Sequence, residues 1–394
     1  MLALTDRDGL FGVAEHIRTC EQAGVRPALG ADLALASPEG GRIVVLARGA
    51  RGWTSLCRLV TAVHRAPGPV AVLPEQLAEH HEGLVVLLGP DSDVGRAVAQ
   101  DRPLHARTLV TAWRGVGVEL ALAPHDHGAS GQRRTARDMV RLADEEHLLA
   151  VLTNAVRYPT SESAGVALAL DRIRQHAPGG YRPAPRTESA HLATGEEMFR
   201  IAVGVCGGDR TRARRLVAHT LALGSSCALD PVADLGWGRL HLPERPQAAA
   251  DLRGRVTGGA SLLGLEGDRR VDERVRHELE VIGRLGLESY FLTVADAAQA
   301  IRDKQIRCFA RGSAVGSLVV HLLGISAINP LEHGLLFERF CTPSRPGLPD
   351  IDLDVESDRR LEAYDAVIAS HPGASATVAM METYRARSAL RDAG

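Results

Sequence analysis

Apolar residues recur along this chain with two periods, and each period predicts a different element. The opening stretch LALTDRDGLFGVAEHIRTCEQAGVRPALGADLAL reads as an apolar strand end, a polar turn at Asp6 to Gly9, an amphipathic helix to about Ala23, then Gly24 and a second strand. RIVVLAR and LVVLLGPDSD are further short strands, with RGWTSLCRLVTAVHR between them as a helix, and HLLAVLTNAVRYP is a strand that ends in a polar loop. Strands alternating with helices of this length predict parallel βαβ units, an α/β fold over residues 1–160. From 161 to 270 the pattern changes to helical runs, GEEMFRIAVGVCG and DRTRARRLVAHTLALG, separated by Gly/Pro-rich pieces, which predicts a helical connector. Residues 271–394 open with a long charged helix and a second helix. A short strand ending at Phe309, a Gly/Ser loop and an apolar helix from about Gly316 follow, an α+β order.

One strand stands apart. In PDIDLDVES, Asp350, Asp352 and Asp354 alternate with Ile351, Leu353 and Val355, so an extended chain puts three carboxylates on one face and three aliphatic side chains on the other. The apolar face predicts a buried strand, where aspartates without a cation would be costly. Carboxylates at fixed separation on one strand form an oxygen-ligand site for Mg²⁺, and paired ions at such a site assist phosphoryl transfer. The alternative is a solvated edge strand, or a turn whose aspartates cap a helix.

The loop in FARGSAVGSLVVHLLGI adds a second candidate. A turn of Arg311, Gly312 and Ser313 between a strand and a helix presents backbone N–H groups, a hydroxyl and a positive helix end to one point, which suits a phosphate. Arg311 can add a charge-assisted contact. Ordinary turn chemistry reads the same way. Cradle and carboxylate row in one region are what nucleotidyl transfer needs, one holding the phosphates and the other the metals.

Composition changes the picture little. The 394 residues are 45% hydrophobic and 24% charged with net charge −2, an ordinary soluble composition of two or three domains that does not advertise nucleic-acid binding. Lys304 is the only lysine, and the skew to arginine carries no functional weight. Cys20, Cys57, Cys206, Cys227, Cys308 and Cys341 form no CxxC pair, which argues against a zinc ribbon or a disulfide framework. Neither a membrane-length apolar run nor a secretory signal is visible, so a cytoplasmic location without membrane partners is the expectation.

The segments HELEVIGRLGLESYFLTV, ARGSAVGSLVVHLLGI, INPLEHGLLFERF, LPDIDLDVESDRR and TVAMMETYRARSALRDAG, in that order, closely resemble the palm region of the bacterial C-family DNA polymerases, the alpha subunits of DNA polymerase III and their error-prone paralogues. The resemblance implies a partial palm of the polymerase-beta type. It places the family's loop glycine and serine at Gly312 and Ser313 and its two metal-binding aspartates at Asp350 and Asp352, with Asp354 as a supporting ligand. Mg²⁺, dNTPs and a primed DNA template are the implied cofactor and partners, and translesion synthesis in replication or repair the implied setting. A sliding clamp and mutagenesis accessory proteins would bind through segments outside this chain.

The amino-terminal region resembles the family's PHP domain, a distorted (β/α) barrel: TDRDG, GAD at Gly30 to Asp32 and TNAVRY match its motifs. Arg7, Ala155 and Arg157 stand where metal ligands are expected, and arginine repels a cation. A degenerate, amino-terminally truncated PHP-like domain without a tight metal site is therefore expected, which disfavours phosphoesterase or exonuclease activity. His125 and His127, an HxH in APHDHGASG, read as a solvated loop pair, and His80 and His81 are no stronger. The third carboxylate and the fingers are expected after Gly394. On that expectation the chain is a truncated polymerase that binds Mg²⁺–dNTP weakly and extends primers undetectably, or a non-catalytic, partner-binding remnant.

Overall fold

The computed structural model describes residues 1–37, 39–175, 189–343, 348–378, 383 and 385–393. The chain forms two compact units, Met1–Arg239 with Ala379–Gly394, and Leu240–Val378.

In the first unit a six-stranded sheet runs in sequence order: β1 (Leu2–Arg7), β2 (Pro27–Ala34), β3 (Arg42–Ala47), β4 (Leu84–Leu88), β5 (Glu119–Leu122) and β6 (Leu149–Ala150). The helices α1 (Val13–Gln22), α2 (Gly49–Arg65), α3 (Pro74–Glu79), α4 (Asp93–Ala99), α5 (Pro103–Gly115) and α6 (Gln132–Glu145) connect them. β1 and β2, β4 and β5, and β5 and β6 pair in parallel. β3, however, is antiparallel to both β2 and β4, so the sheet is mixed rather than wholly parallel. The cause is the connection: residues 35–41, with Gly40 and Gly41 at positive φ, are too few for a crossover helix, so the chain reverses. Ile17 of α1, Leu29 and Leu33 of β2, Val45 of β3, Leu56 and Leu59 of α2, and Leu88 and Leu122 are all at most 1% exposed and pack as one core.

Residues 161–270 contribute to both units. After α7 (Ala164–Gln175), α8 (Gly195–Val205) starts at a reciprocal cap between Thr194 and Glu197, and α9 (Arg210–Ser226) starts at Asp209, whose carboxylate accepts from the N–H groups of Thr211 and Arg212. Both helices bury apolar residues in the core of the first unit, which also holds the short α10 (Pro231–Leu235). α11 (Ala248–Leu262) instead puts Leu252 and Val256 into the core of the second.

That second core is built by α12 (Arg269–Arg284), α13 (Glu288–Asp303) and the short α14 (Leu318–Leu322), with Phe291, Phe337 and Phe340 meeting edge to face at centroid distances of 6.0 and 6.2 Å. Gly259 permits the close approach of α11 to α14: a β-carbon there would lie against the carbonyl oxygen of Leu322. A two-stranded antiparallel sheet, β7 (Cys308–Arg311) and β8 (Asp352–Val355), lies beside α13 and α15 (Arg360–Ser370), and α16 (Ala386–Ala393) is the last helix. No helix among the described residues is long and apolar enough to cross a membrane.

Candidate functional site

The alternation that singled out PDIDLDVES is realised in β8. Its register with β7 pairs Arg311 with Asp352, Ala310 with Leu353, Phe309 with Asp354 and Cys308 with Val355. Directly paired residues of an antiparallel ladder share a face. One face therefore carries Phe309, Arg311, Asp352 and Asp354, while Cys308, Ala310, Leu353 and Val355 turn toward α13 and α15. Asp350 lies two residues before β8 and is exposed. The Tyr290 hydroxyl donates to the carbonyl of Pro349 (2.8 Å) and accepts from the N–H of Ile351 (3.3 Å), fixing the backbone on both sides of Asp350. Burial pushes the Tyr290 phenol up, and the charges of Asp350 and Asp352 push it further.

The aspartates are exposed, whereas the apolar partners in their strand predict burial. The side chains of Asp352 and Asp354 are 52% and 68% exposed, because β8 buries only its aliphatic face and opens the other to solvent. Their mutual repulsion is offset by Arg311, whose Nε donates to Asp354 Oδ1 (2.9 Å) and whose guanidinium lies 3.6 Å from Asp352 Oδ2. Arg311 is thus the last residue of the strand and a partner of carboxylates rather than a free phosphate ligand. No hydrogen bond or ion pair of Asp350 occurs among the described residues. Solvent-facing, acceptor-only oxygens suit a hard divalent cation such as Mg²⁺.

Gly312 follows at φ +70°, a conformation that favours glycine, and a β-carbon there would stand 3.8 Å from Asp352 Oδ2. The register therefore brings loop and aspartate row together, with Ser313 next in the exposed loop. The helix behind them departs from expectation. Residues 312–316 form a 3₁₀ turn, and the positive end of α14 is already filled from within the protein. The fully buried carboxylate of Glu278 accepts from Ser317 Oγ (2.7 Å) and from the N–H groups of Leu318 (2.9 Å) and Val319 (3.0 Å), and Arg274 Nε bonds it at 2.6 Å. Arg274 also donates to the carbonyls of Gly316 and Leu335. An external phosphate is left with the exposed loop, not with a helix terminus. Glu278 escaped sequence reasoning, although it falls on the buried stripe of α12 with Val271 and Ile282, where a carboxylate needs a partner.

In the first unit the residues of TDRDG and GAD also meet, but around a cation that belongs to the chain. Arg42 Nε donates to Asp32 Oδ1 (2.8 Å) and its Nη2 to Asp8 Oδ1 (2.9 Å), and Arg7 Nε lies 3.7 Å from Asp8. Asp6 accepts from the N–H of Gly12, and Asp8 stands at φ +54°. Burial pushes the Asp32 carboxyl up against the pull of Arg42. The same burial works against Arg42, whose guanidinium is nonetheless held charged by Asp32 and Asp8. Arg157 pairs with the buried Asp171 at 2.7 Å, and Ala155 offers no donor. This donor set, already closed around Arg42 and Arg7, does not fit a metal. Among the described residues of either unit, no three His, Cys, Asp or Glu side chains are grouped to hold an ion.

His125 and His127 stack at 4.7 Å, and burial, followed by the charge of His127, pushes His125 down to about 4. His127 is buried with Nε2 2.7 Å from the carbonyl of Asn154, so the pair is not the solvated loop that the sequence suggested. Of the motif expected at 377–394, residues 379–382, 384 and 394 lie outside the described residues.

Two family models match the chain: the PHP domain over residues 1–151 and the bacterial DNA polymerase III alpha NTPase domain over residues 252–394. Curated relatives named "Error-prone DNA polymerase" are 33% identical in Mycobacterium tuberculosis (99% of this chain, 37% of the relative), 33% in Symbiobacterium thermophilum (100% and 38%) and 30% in Pseudomonas fluorescens (99% and 37%). The chain therefore spans a little over a third of the length of these relatives. A segment similar to the PHP domain is thus followed by one similar to the DNA polymerase III alpha NTPase domain, and along almost its whole length the chain is similar to part of the error-prone DNA polymerases.

Proposed function

We propose that this chain provides the phosphoryl-transfer face of an error-prone DNA polymerase, joining a dNTP to a primer 3′-hydroxyl. In that reaction the 3′-hydroxyl loses its proton to solvent, its oxygen bonds to the α-phosphorus, the bond from the α-phosphorus to the oxygen bridging to the β-phosphate breaks, and pyrophosphate leaves. Asp350 and Asp352 hold the divalent ion, Gly312 and Ser313 border the triphosphate through exposed backbone N–H groups, and Arg311 with Asp354 fixes the charge balance of the strand. A bound Mg²⁺ supplies neutralisation of the phosphate oxygens and a lowered pKa for the attacking hydroxyl. On this reading the second unit is a palm-like element, and the first a PHP-like barrel derivative whose metal has given way to Arg42. The partners are primed DNA and dNTPs, with a clamp and accessory proteins acting through further segments, in the cytoplasm.

The observation that carries the reading is the register that sets Arg311 opposite Asp352 and so puts the Gly312 loop beside the carboxylate row. Metal-dependent nucleotide binding tests it. Purified protein titrated with dATP in the presence of Mn²⁺ or Mg²⁺ is expected to bind only with the ion present, and Asp350→Ala and Asp352→Ala are each expected to weaken binding at least tenfold. Binding that ignores the metal, or ignores both substitutions, overturns the proposal and leaves a partner-binding module.

A further inference from the structure

Phe309 has no part in the proposed chemistry, yet it stands on the chemical face. Its neighbours Cys308 and Ala310 are 1% and 9% exposed, whereas Phe309 is 48% exposed and pairs directly with Asp354. It shares its face with Arg311, Asp352 and Asp354. The alternation along β7 thus turns an aromatic ring to solvent two residues from Arg311 and three from Gly312. A strand rises about 3.3 Å per residue, so ring and loop lie about 10 Å apart along the strand, within the span of one nucleotide.

The electrostatics narrow what that ring can meet. Asp352 and Asp354 against Arg311 leave the face acidic, so a phosphodiester beside Asp354 would be repelled. A nucleobase is neutral, has a π-face and stacks on exposed sheet aromatics. We infer that Phe309 is a stacking platform for a nucleobase whose phosphates lie toward the Gly312 loop, making it a positioning residue of the proposed site. The inference rests on the polymerase reading and adds to it a contact that neither metal nor phosphate chemistry requires. The base has two sources, a bound dNTP or the primer terminus.

Phe309→Ala and Phe309→Trp separate the outcomes, and neither touches the buried face of β7. Affinity for Mg²⁺–dATP and for a short primed oligonucleotide is measured with wild type, Phe309→Ala and Asp352→Ala, and indole fluorescence is followed in Phe309→Trp. Single-base stacking on an aromatic predicts about a tenfold loss in Phe309→Ala for one of the two ligands, which identifies the source of the base, with quenching of the introduced indole by that ligand. Unchanged affinity for both ligands in Phe309→Ala, with Asp352→Ala still losing metal-dependent binding, overturns the inference and leaves the polymerase reading intact. Unchanged affinity in all variants overturns both.

Discussion

Glu278 is fully buried, and four donors converge on it from Arg274, Ser317, Leu318 and Val319. Glu278→Ala removes the acceptor and keeps the donors. The guanidinium of Arg274, only 18% exposed, then loses its carboxylate, and two N–H groups at the start of α14 are left without a partner. Breaking a buried ion pair by deleting one member costs about 3–5 kcal/mol, and each orphaned donor adds about 1 kcal/mol or more. A loss of about 4 kcal/mol is a conservative total, which at a urea dependence of about 2 kcal/mol per molar moves the unfolding midpoint of the second unit down by about 2 M. Urea unfolding followed by circular dichroism, with amide exchange at Leu318 and Val319, reads both the midpoint and the local opening. Arg274→Met supplies the control: if the pair is coupled, the double variant loses less than the sum of the single losses by at least about 1 kcal/mol. A shift below about 0.5 M for Glu278→Ala, or strict additivity with Arg274→Met, refutes the assignment of Glu278 as the internal anion of α14.

Three further outcomes are expected. His125 is neutral in the folded chain down to about pH 4, while unfolded histidine protonates near 6.5, so stability is present above 6.5 and falls as pH drops from 6.5 to 4 by about 2–3 kcal/mol. His125→Gln should flatten that part of the melting-temperature profile. The raised carboxyl of Asp32 works in the opposite direction: its contribution is complete below the ordinary value of 3.8 and lost as pH rises through the raised folded value, and Asp32→Asn should abolish this slope in the same scans. Gly259→Ala must move α11 away from the carbonyl of Leu322 and should cost about 3 kcal/mol in chemical denaturation, whereas Gly258→Ala, whose added β-carbon meets nothing within 4 Å, should stabilise by up to about 1 kcal/mol.

The elements most legible in the sequence were those whose signal is local. The period of two in DIDLDV gave β8 and its faces, and the period of the runs around Leu56 and Ile282 gave α2 and α12. Strand direction is not local: RIVVLA reads the same parallel or antiparallel, and only the shortness of residues 35–41 hints that β3 reverses. Within the candidate site, residue type and spacing singled out Arg311, Gly312 and the aspartates, which the fold brings together. Their exposure was misjudged because aliphatic neighbours show that one face is buried and say nothing of the other. Arg42 and Glu278 were missed because each acts on partners that only folding brings near, Glu278 on residues 39 to 41 positions away and Arg42 on Asp8, 34 away. For both, a charged residue on a buried or half-buried position of its own element was the available sign.

The carboxylate at the start of α14 also bears on how quickly a ligand can be received. A loop that must order itself around a phosphate has its backbone entropy removed at the moment of binding, about 1–2 kcal/mol for each residue fixed. Here the turn from Gly312 to Ser317 is tied down beforehand, at one end by its strand and at the other by Glu278 and Arg274. On the proposed function, occupancy then requires desolvation and little reorganisation, so differences in affinity among nucleotides should appear in the rate of leaving rather than in the rate of arrival.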